Sequence, residues 1–336
     1  VTTSIKTAGQ DENLKPGLAT GGPERLQVWL GFLRNNTALL LLVALIIAGS
    51  FASPVFFTPR NLLNILWAVS ILGVVALGQT LLLLTCRFDM SVAAVVGFSG
   101  IVTVLAQIGG FGLYPSIALG LLAGAAVGLC NGLLVLATGA NPFLITLGTN
   151  LLVYSIALSL THSKTLYATA PGFNVLGRGQ LFGFLHYSVI LLVVLAAVFE
   201  FVLRRTVFGR TIFVTGLNET AGRLSGLRIQ MTKLAAFVLC STLAALAGII
   251  MTSRINSTVA NSGFGMEFDS IIAAVLGGTS LFGGHGGTLR TLIGVLVLGV
   301  INNLLVLLNV PIEAQQIAKG TVFLLVVWAD GALRRG

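Results

Sequence analysis

The sequence predicts an all-α polytopic membrane protein of about ten transmembrane helices, arranged as two inverted five-helix repeats. Three observations carry this. First, 56% of its 336 residues are hydrophobic and only 9% charged, against roughly 25% charged in a soluble domain. Apolar runs near the ~20 residues that cross a bilayer recur along almost the whole chain. They are continuous rather than alternating, which excludes a barrel. Second, the cations cluster between these runs, above all in Arg204–Lys233. There Arg204, Arg205, Arg210, Arg223, Arg228 and Lys233 face one acid, Glu219. Third, the chain contains an internal match between two polar-bearing segments.

In order, residues 1–36 are polar, with Pro and Gly but no apolar core, and read as a cytoplasmic N-terminal tail. The transmembrane region is expected over 37–332, with repeat halves at about 37–186 and 187–332. Spans are expected at about Thr37–Phe57, Leu62–Leu84, Met90–Ile108, Pro115–Ala137 and Phe143–Leu160. A polar stretch, Thr161–His186, separates them from Tyr187–Leu203. The basic loop 204–233 follows, then Leu234–Thr252, a short eighth span at Phe268–Phe282, Leu289–Leu308 and Ile312–Ala329.

With both termini inside, twelve cations fall on the cytoplasmic side: Arg25, Arg34, Arg87, the six of the loop, Arg290, Arg334 and Arg335. Four fall outside: Arg60, Lys164, Arg178 and Arg254. That asymmetry is what the positive-inside rule requires. The net charge of +9 therefore reflects topology rather than nucleic-acid binding, and no nucleic-acid partner is expected.

The internal match aligns Phe88–Gly97 (FDMSVAAVVG) with Phe268–Gly277 (FDSIIAAVLG), and Gly128–Leu136 with Gly299–Leu307. It carries the third span onto the eighth and the fourth onto the ninth. A shift by five spans inverts one copy relative to the other, the architecture of transporters whose halves enclose a path at mid-membrane.

Polar groups inside spans are costly and mark a cavity or a partner. The candidates for a substrate path are Asp89, Asn131, Asp269, Asn302, Gln315, Gln316 and Lys319, the last three on one helical face. An alternative role was open to each aspartate, as an N-terminal cap before AAVVG and AAVLG, and to Gln315, Gln316 and Lys319 as interhelix hydrogen-bond formers. Glu200 is expected to pair with Arg204 or Arg205. The glycine cluster 283–287 reads as a tight turn, because no G-x-x-x-x-G-K-[ST] phosphate loop occurs anywhere. His162, His186 and His285 lie in separate loops, and the three cysteines show neither metal nor disulfide spacing, so no metal site or catalytic group is expected.

Several motifs together resemble the ribose/galactoside/autoinducer-2-type sugar permeases of bacterial ABC importers, within the branched-chain-amino-acid/ribose permease superfamily. They are Phe208-Gly209-Arg210, Gly216-Leu-Asn218-Glu219-Thr-Ala221, Leu224-Ser-Gly226, Gly265-Met-Glu267-Phe-Asp269, Ala273-Ala-Val-Leu-Gly277-Gly-Thr-Ser280 and Gln315-Gln316-Ile-Ala-Lys319-Gly320. Phe88-Asp89-Met-Ser91-Val92 and Pro142-Phe-Leu-Ile-Thr146 belong to the same pattern, although Ala93 stands where the family usually has Gly.

The resemblance implies a permease subunit in the bacterial cytoplasmic membrane that moves a monosaccharide or similar polar solute. It implies a second permease copy, identical or related, an extracytoplasmic sugar-binding protein, and a cytoplasmic ABC ATPase. ATP and Mg would be bound by that ATPase, so the chain itself needs no cofactor and is no enzyme. Gly209, Arg210, Gly216, Asn218, Glu219, Ala221, Leu224 and Gly226 would form the coupling element that docks on the ATPase. Local physics agrees: Asn218 is a good N-cap, Glu219 suits a helix start, and Gly226 can close a short helix. A helix of about seven residues does not persist alone in water and must pack on something. The alternative function class is an ion-coupled secondary transporter using Asp89, Asp269 and Lys319 as carriers.

Overall fold

A computed structural model describes residues 37–332; the tail over 1–36 and the Arg334-Arg335 end lie outside the described residues. Thirteen helices are described: α1 (Thr37–Ala52), α2 (Pro59–Leu84), α3 (Val92–Ile108), α4 (Leu113–Thr138), α5 (Pro142–Thr161), α6 (Asn174–Arg178), α7 (Tyr187–Arg205), α8 (Val207–Leu217), α9 (Glu219–Leu224), α10 (Ile229–Ile255), α11 (Met266–Leu276), α12 (Thr288–Leu307) and α13 (Ile312–Ala332). Four two-residue strands complete them: β1 (Leu166–Tyr167), β2 (Gln180–Leu181), β3 (Leu185–His186) and β4 (Ser257–Thr258).

Six helices, α2, α4, α5, α7, α10 and α12, are long and apolar enough to cross a membrane, while α1, α3 and α8 are shorter apolar helices. The chain is thus a helical, multi-pass membrane protein. Expected span boundaries fall within a few residues of the observed helices except at three places, one of them the seventh span, whose helix starts at Ile229 inside the expected basic loop rather than at Leu234. The first span ends at Ala52, before Ser53-Pro54, because Pro54 removes the backbone donor needed to continue. The eighth is only Met266–Leu276, 11 residues, starting earlier and ending earlier than expected. Its end falls at Gly277-Gly278, where Gly278 takes φ +94°.

At the centre lie α2 and α10. Helix α10 packs along α2, α3 and α4, and α2 packs in turn along α11 and α12. Helix α4 illustrates membrane packing, with small residues inward and leucines outward. Its buried face is Ser116, Gly120, Gly124, Gly128, Asn131, Gly132 and Val135, while Leu122, Leu129 and Leu133 are exposed. A methyl group at Gly128 would come within 2.6 Å of the Phe237 carbonyl oxygen on α10. Only glycine permits that approach.

The polar stretch 161–186 is a built structure. Strand β1 pairs antiparallel with β4, Leu166 opposite Thr258, and β2 pairs with β3. Trp67 of α2 is sandwiched between the His186 ring, stacked at 4.2 Å, and the Arg254 guanidinium at 3.6 Å. Its indole N–H donates to the Gly177 carbonyl at 3.0 Å.

Candidate functional site: a short helix on the basic loop and a polar seam between helices

The basic loop is helical over most of its length. Thr206 caps α8, its hydroxyl accepting from the Gly209 N–H at 3.2 Å. Gly209 is buried there against the carbonyl of Leu203, and Arg210 is exposed. Gly216 sits where α8 meets two other elements. A methyl there would come within 2.0 Å of the Leu84 carbonyl oxygen at the end of α2. The Gly284 N–H, from the glycine turn 283–287, donates to that same oxygen at 3.0 Å.

Helix α9 is six residues long, one fewer than expected, and both its caps match the sequence reading. The Asn218 side chain accepts from the Ala221 N–H at 2.9 Å. At the far end Leu227 N–H donates to Gly222 O at 3.1 Å and Gly226 N–H to Arg223 O at 3.0 Å. This is the Schellman arrangement, with Gly226 at φ +76°. Ala221 is exposed, and Leu224 is 86% exposed.

Glu219 does more than favour a helix start. It forms ion pairs with Arg223 in its own helix, with Lys233 of α10 at 2.6 Å, and with Arg87 beyond α2 at 3.6 Å. The Lys233 side chain is only 5% exposed. Partial burial pushes the Glu219 carboxyl up, but hydrogen bonds from Lys233 and Arg223 outweigh it and hold the carboxyl below its ordinary value. One carboxylate therefore staples α9 to the ends of two central helices. Nearby, Glu200 pairs with Arg204 as expected and also accepts from the Thr288 hydroxyl at 2.5 Å.

Six of the seven polar path candidates divide into two groups. Asp89 and Asn131 are fully buried and belong to a closed knot. The Asp89 carboxylate accepts from the Ser91 N–H at 2.7 Å, the Ser91 hydroxyl at 2.6 Å and the Ser241 hydroxyl at 3.1 Å. Asn131 donates to the Ser91 hydroxyl at 2.9 Å and more distantly to the carboxylate itself, at 3.4 Å. Gln79 of α2 closes both backbone groups of Asp89. Asp89 does not cap α3: Ser91 holds the cap position and makes no side-chain cap hydrogen bond, and the Asp89 bond to Ser91 N–H closes the turn ahead of it.

Asp269 differs. It lies inside α11, its N–H bonded to Gly265 O, and Gly265 occupies the cap position. Asp269 is therefore not the cap that sequence allowed; the chain enters α11 through Gly265, at φ +88°, four residues before that aspartate. Instead Asp269 accepts from Lys319 of α13 at 2.9 Å. Asp269 and Asn302 line a cleft of about 390 Å³ together with Arg254 and Asn303. Asp269, Lys319 and Gln316 line an adjoining one of about 260 Å³. The Asn302 side-chain oxygen has no hydrogen-bond partner among the described residues. Gln315 stands apart, donating to the Val310 carbonyl at 2.9 Å.

Residues 61–327 match the family described as branched-chain amino acid transport system / permease component. The chain belongs to this permease family. The permease is 38% identical over 310 residues to the ribose import permease protein RbsC of Escherichia coli K12, covering 90% of this chain and 95% of that one. It is 34% identical over 320 residues to the L-arabinose ABC transporter permease protein AraH of Azospirillum brasilense, covering 95% and 92%. It is 31% identical over 298 residues to the D-allose transport system permease protein AlsC of Escherichia coli K12, covering 88% and 91%. No solved structure matches the permease.

Sequence reading missed the partners of Glu219 and the pairing of Asp269 with Lys319. The isolated acid in a basic loop was the available signal for the first. For the second it was one lysine and one aspartate in otherwise apolar helices, since lone intramembrane charges demand each other.

Proposed function

We propose that this chain is the membrane subunit of an ATP-driven importer that passes a monosaccharide, or a similar small polyhydroxylated solute, into the cytoplasm. It works as one of two permease copies, receives its solute from an extracytoplasmic binding protein, and is driven by a cytoplasmic ATPase that carries the ATP and Mg. The names of its relatives, ribose, arabinose and allose permeases, support the solute class.

The observation that carries the mechanism is α9. Six residues cannot hold a helix alone in water, yet these are capped at both ends, stapled by Glu219 and left with Leu224 bare. That is the form of an element kept in shape for a partner's groove. Gly209, Arg210 and Gly216 seat it; Asn218, Glu219 and Gly226 fix it; Ala221 and Leu224 meet the ATPase. Motion of α9 reaches α10 through Lys233 and α2 through Arg87.

In the full arrangement ten spans form two inverted halves, about 37–186 and 187–332, with the basic loop and both termini cytoplasmic. The helix neighbourhoods support it: α10 lies on α3 and α4 as α2 lies on α11 and α12, the exchange that two inverted copies would make. Asp269, Asn302, Gln316 and Lys319 line the path, while Asp89 and Asn131 tie the first half to α10 of the second through Ser241. The ABC transporter permease named among its relatives favours this over an ion-coupled carrier.

The test is Ala221→Glu and Leu224→Glu in the reconstituted importer. Both should insert normally but lose solute uptake and stimulated ATP hydrolysis. Normal coupled uptake in both variants sinks the assignment of α9.

A further inference from the structure

A third cavity, of about 400 Å³, lies between α3, α5 and the segment that leads into α11. Its size falls within the roughly 300–1,000 Å³ of small-molecule sites. None of the seven polar path residues discussed above borders it. Asn150 and Tyr154 of α5 line it, with Asn261, Phe264 and Glu267 from the facing segment.

Glu267 is the feature that needs a reason. It is 7% exposed, and its Oε2 has no hydrogen-bond partner among the described residues. No salt bridge to it occurs among the described residues. A buried carboxylate oxygen left unpaired costs free energy unless something visits it. Asn150 uses its carbonyl oxygen on the Ala94 N–H, at 3.2 Å, so what it offers the cavity is its NH2 donor. Asn261 adds an exposed amide, and Phe264, 80% exposed, adds an aromatic face.

The wall bearing Glu267 is held firmly. A methyl at Gly97 would meet the Ala260 carbonyl oxygen at 2.3 Å, and one at Gly263 the Ala93 carbonyl oxygen at 2.3 Å. The segment thus lies on α3 backbone to backbone, and Glu267 enters the cavity from a fixed position two residues into α11.

A carboxylate that accepts hydroxyl protons, amides that bond neighbouring hydroxyls, and aromatic rings that cover C–H faces together suit a neutral polyol. We propose that this cavity is a transit site for the imported sugar, with Glu267 accepting hydroxyl hydrogen bonds and Asn150 and Asn261 donating to hydroxyl oxygens. The proposal rests on the importer reading above. Phe264 also borders the cleft of Asp269, Gln316 and Lys319, so the two chambers share an aromatic divider past which a sugar moves from one polar set to the next.

The experiment reconstitutes the permease with its ATPase and binding protein in liposomes and follows labelled D-ribose, L-arabinose and D-allose uptake alongside ATP hydrolysis. Glu267→Gln, which keeps shape but removes the charge, is expected to slow uptake about tenfold, the loss of one hydrogen bond to a charged group. Hydrolysis stimulated by the loaded binding protein should stay within about twofold of wild type. Asn261→Ala, at an exposed position, should change the ratio of rates among the three sugars. Wild-type uptake and ratios in both variants overturn the transit site. So does a parallel fall of uptake and hydrolysis in Glu267→Gln, which makes Glu267 part of the scaffold. A wild-type complex that hydrolyses ATP yet moves none of the three sugars overturns the importer reading instead.

Discussion

Glu219 concentrates more of the loop's organisation than any other side chain. Replacing it with Gln leaves Lys233 buried without its counter-charge, which costs several kcal/mol when full burial applies. Because Glu219 itself is 29% exposed, solvent screening reduces this to about 1–2 kcal/mol. The expected result is a melting temperature lower by a few degrees in detergent and a several-fold fall in coupled uptake. The carboxyl's lowered value in the fold also sets a pH window. Its contribution is complete above the ordinary glutamate range, about 4.3, and disappears as pH falls through the folded-state value below it. The melting difference between wild type and Glu219→Gln should therefore be present at neutral pH and vanish in acid, read by thermal melts across pH. Asp269 and Lys319 offer a second residue-scale test. Neutralising either alone, Asp269→Asn or Lys319→Met, should destabilise more than neutralising both, because each single change strands a charge among apolar helices. A thermal-stability cycle of the four forms measures that coupling.

Among the elements, α9 and α4 respond to substitution for opposite reasons. Gly226→Val places a β-branched residue at φ +76°, a region in which even unbranched residues lose about 1–2 kcal/mol. The end of α9 should unwind, so ATPase stimulation falls while insertion and the yield of folded protein hold. In α4, Gly128→Leu drives a side chain into the Phe237 backbone and should sharply reduce folded yield by size-exclusion chromatography. Gly148 of α5, with open space around its added carbon, should accept alanine without loss.

These elements were unequally readable from sequence. The caps of α9 were legible because Asn218 and Gly226 act on residues within a few positions, and local chemistry is what a sequence displays. Helix α8 was not. Its run VFGRTIFVTGL is apolar enough to pack, but it is short and set among arginines, so its composition does not separate it from a basic loop. The short α11 was anticipated as a short span but misplaced, since its start depends on Gly265 taking a left-handed turn rather than on the aspartate that the repeat made conspicuous.

For the whole molecule, the membrane character and the approximate helix limits were legible, because a bilayer demands long apolar runs that nothing else imitates. The site was legible only as a set of unusual polar residues. Which of them meet is decided by packing across the chain: Asp89 joins Ser241 at 3.1 Å, and Asp269 joins Lys319 rather than capping. That Glu267 Oε2 has no hydrogen-bond partner among the described residues is likewise a matter of packing, which no local pattern reveals.

Helix α10 runs 27 residues from Ile229 to Ile255, about 40 Å at the helical rise. Near one end Lys233 is held by Glu219; just past the other, β4 is stitched to β1. An α-helix does not lengthen appreciably under load, so this one behaves as a connecting rod between two fixed bearings. If α9 is the element a partner pushes, that push has no slack to take up along α10 and arrives at the β1–β4 stitch as a displacement of the whole helix.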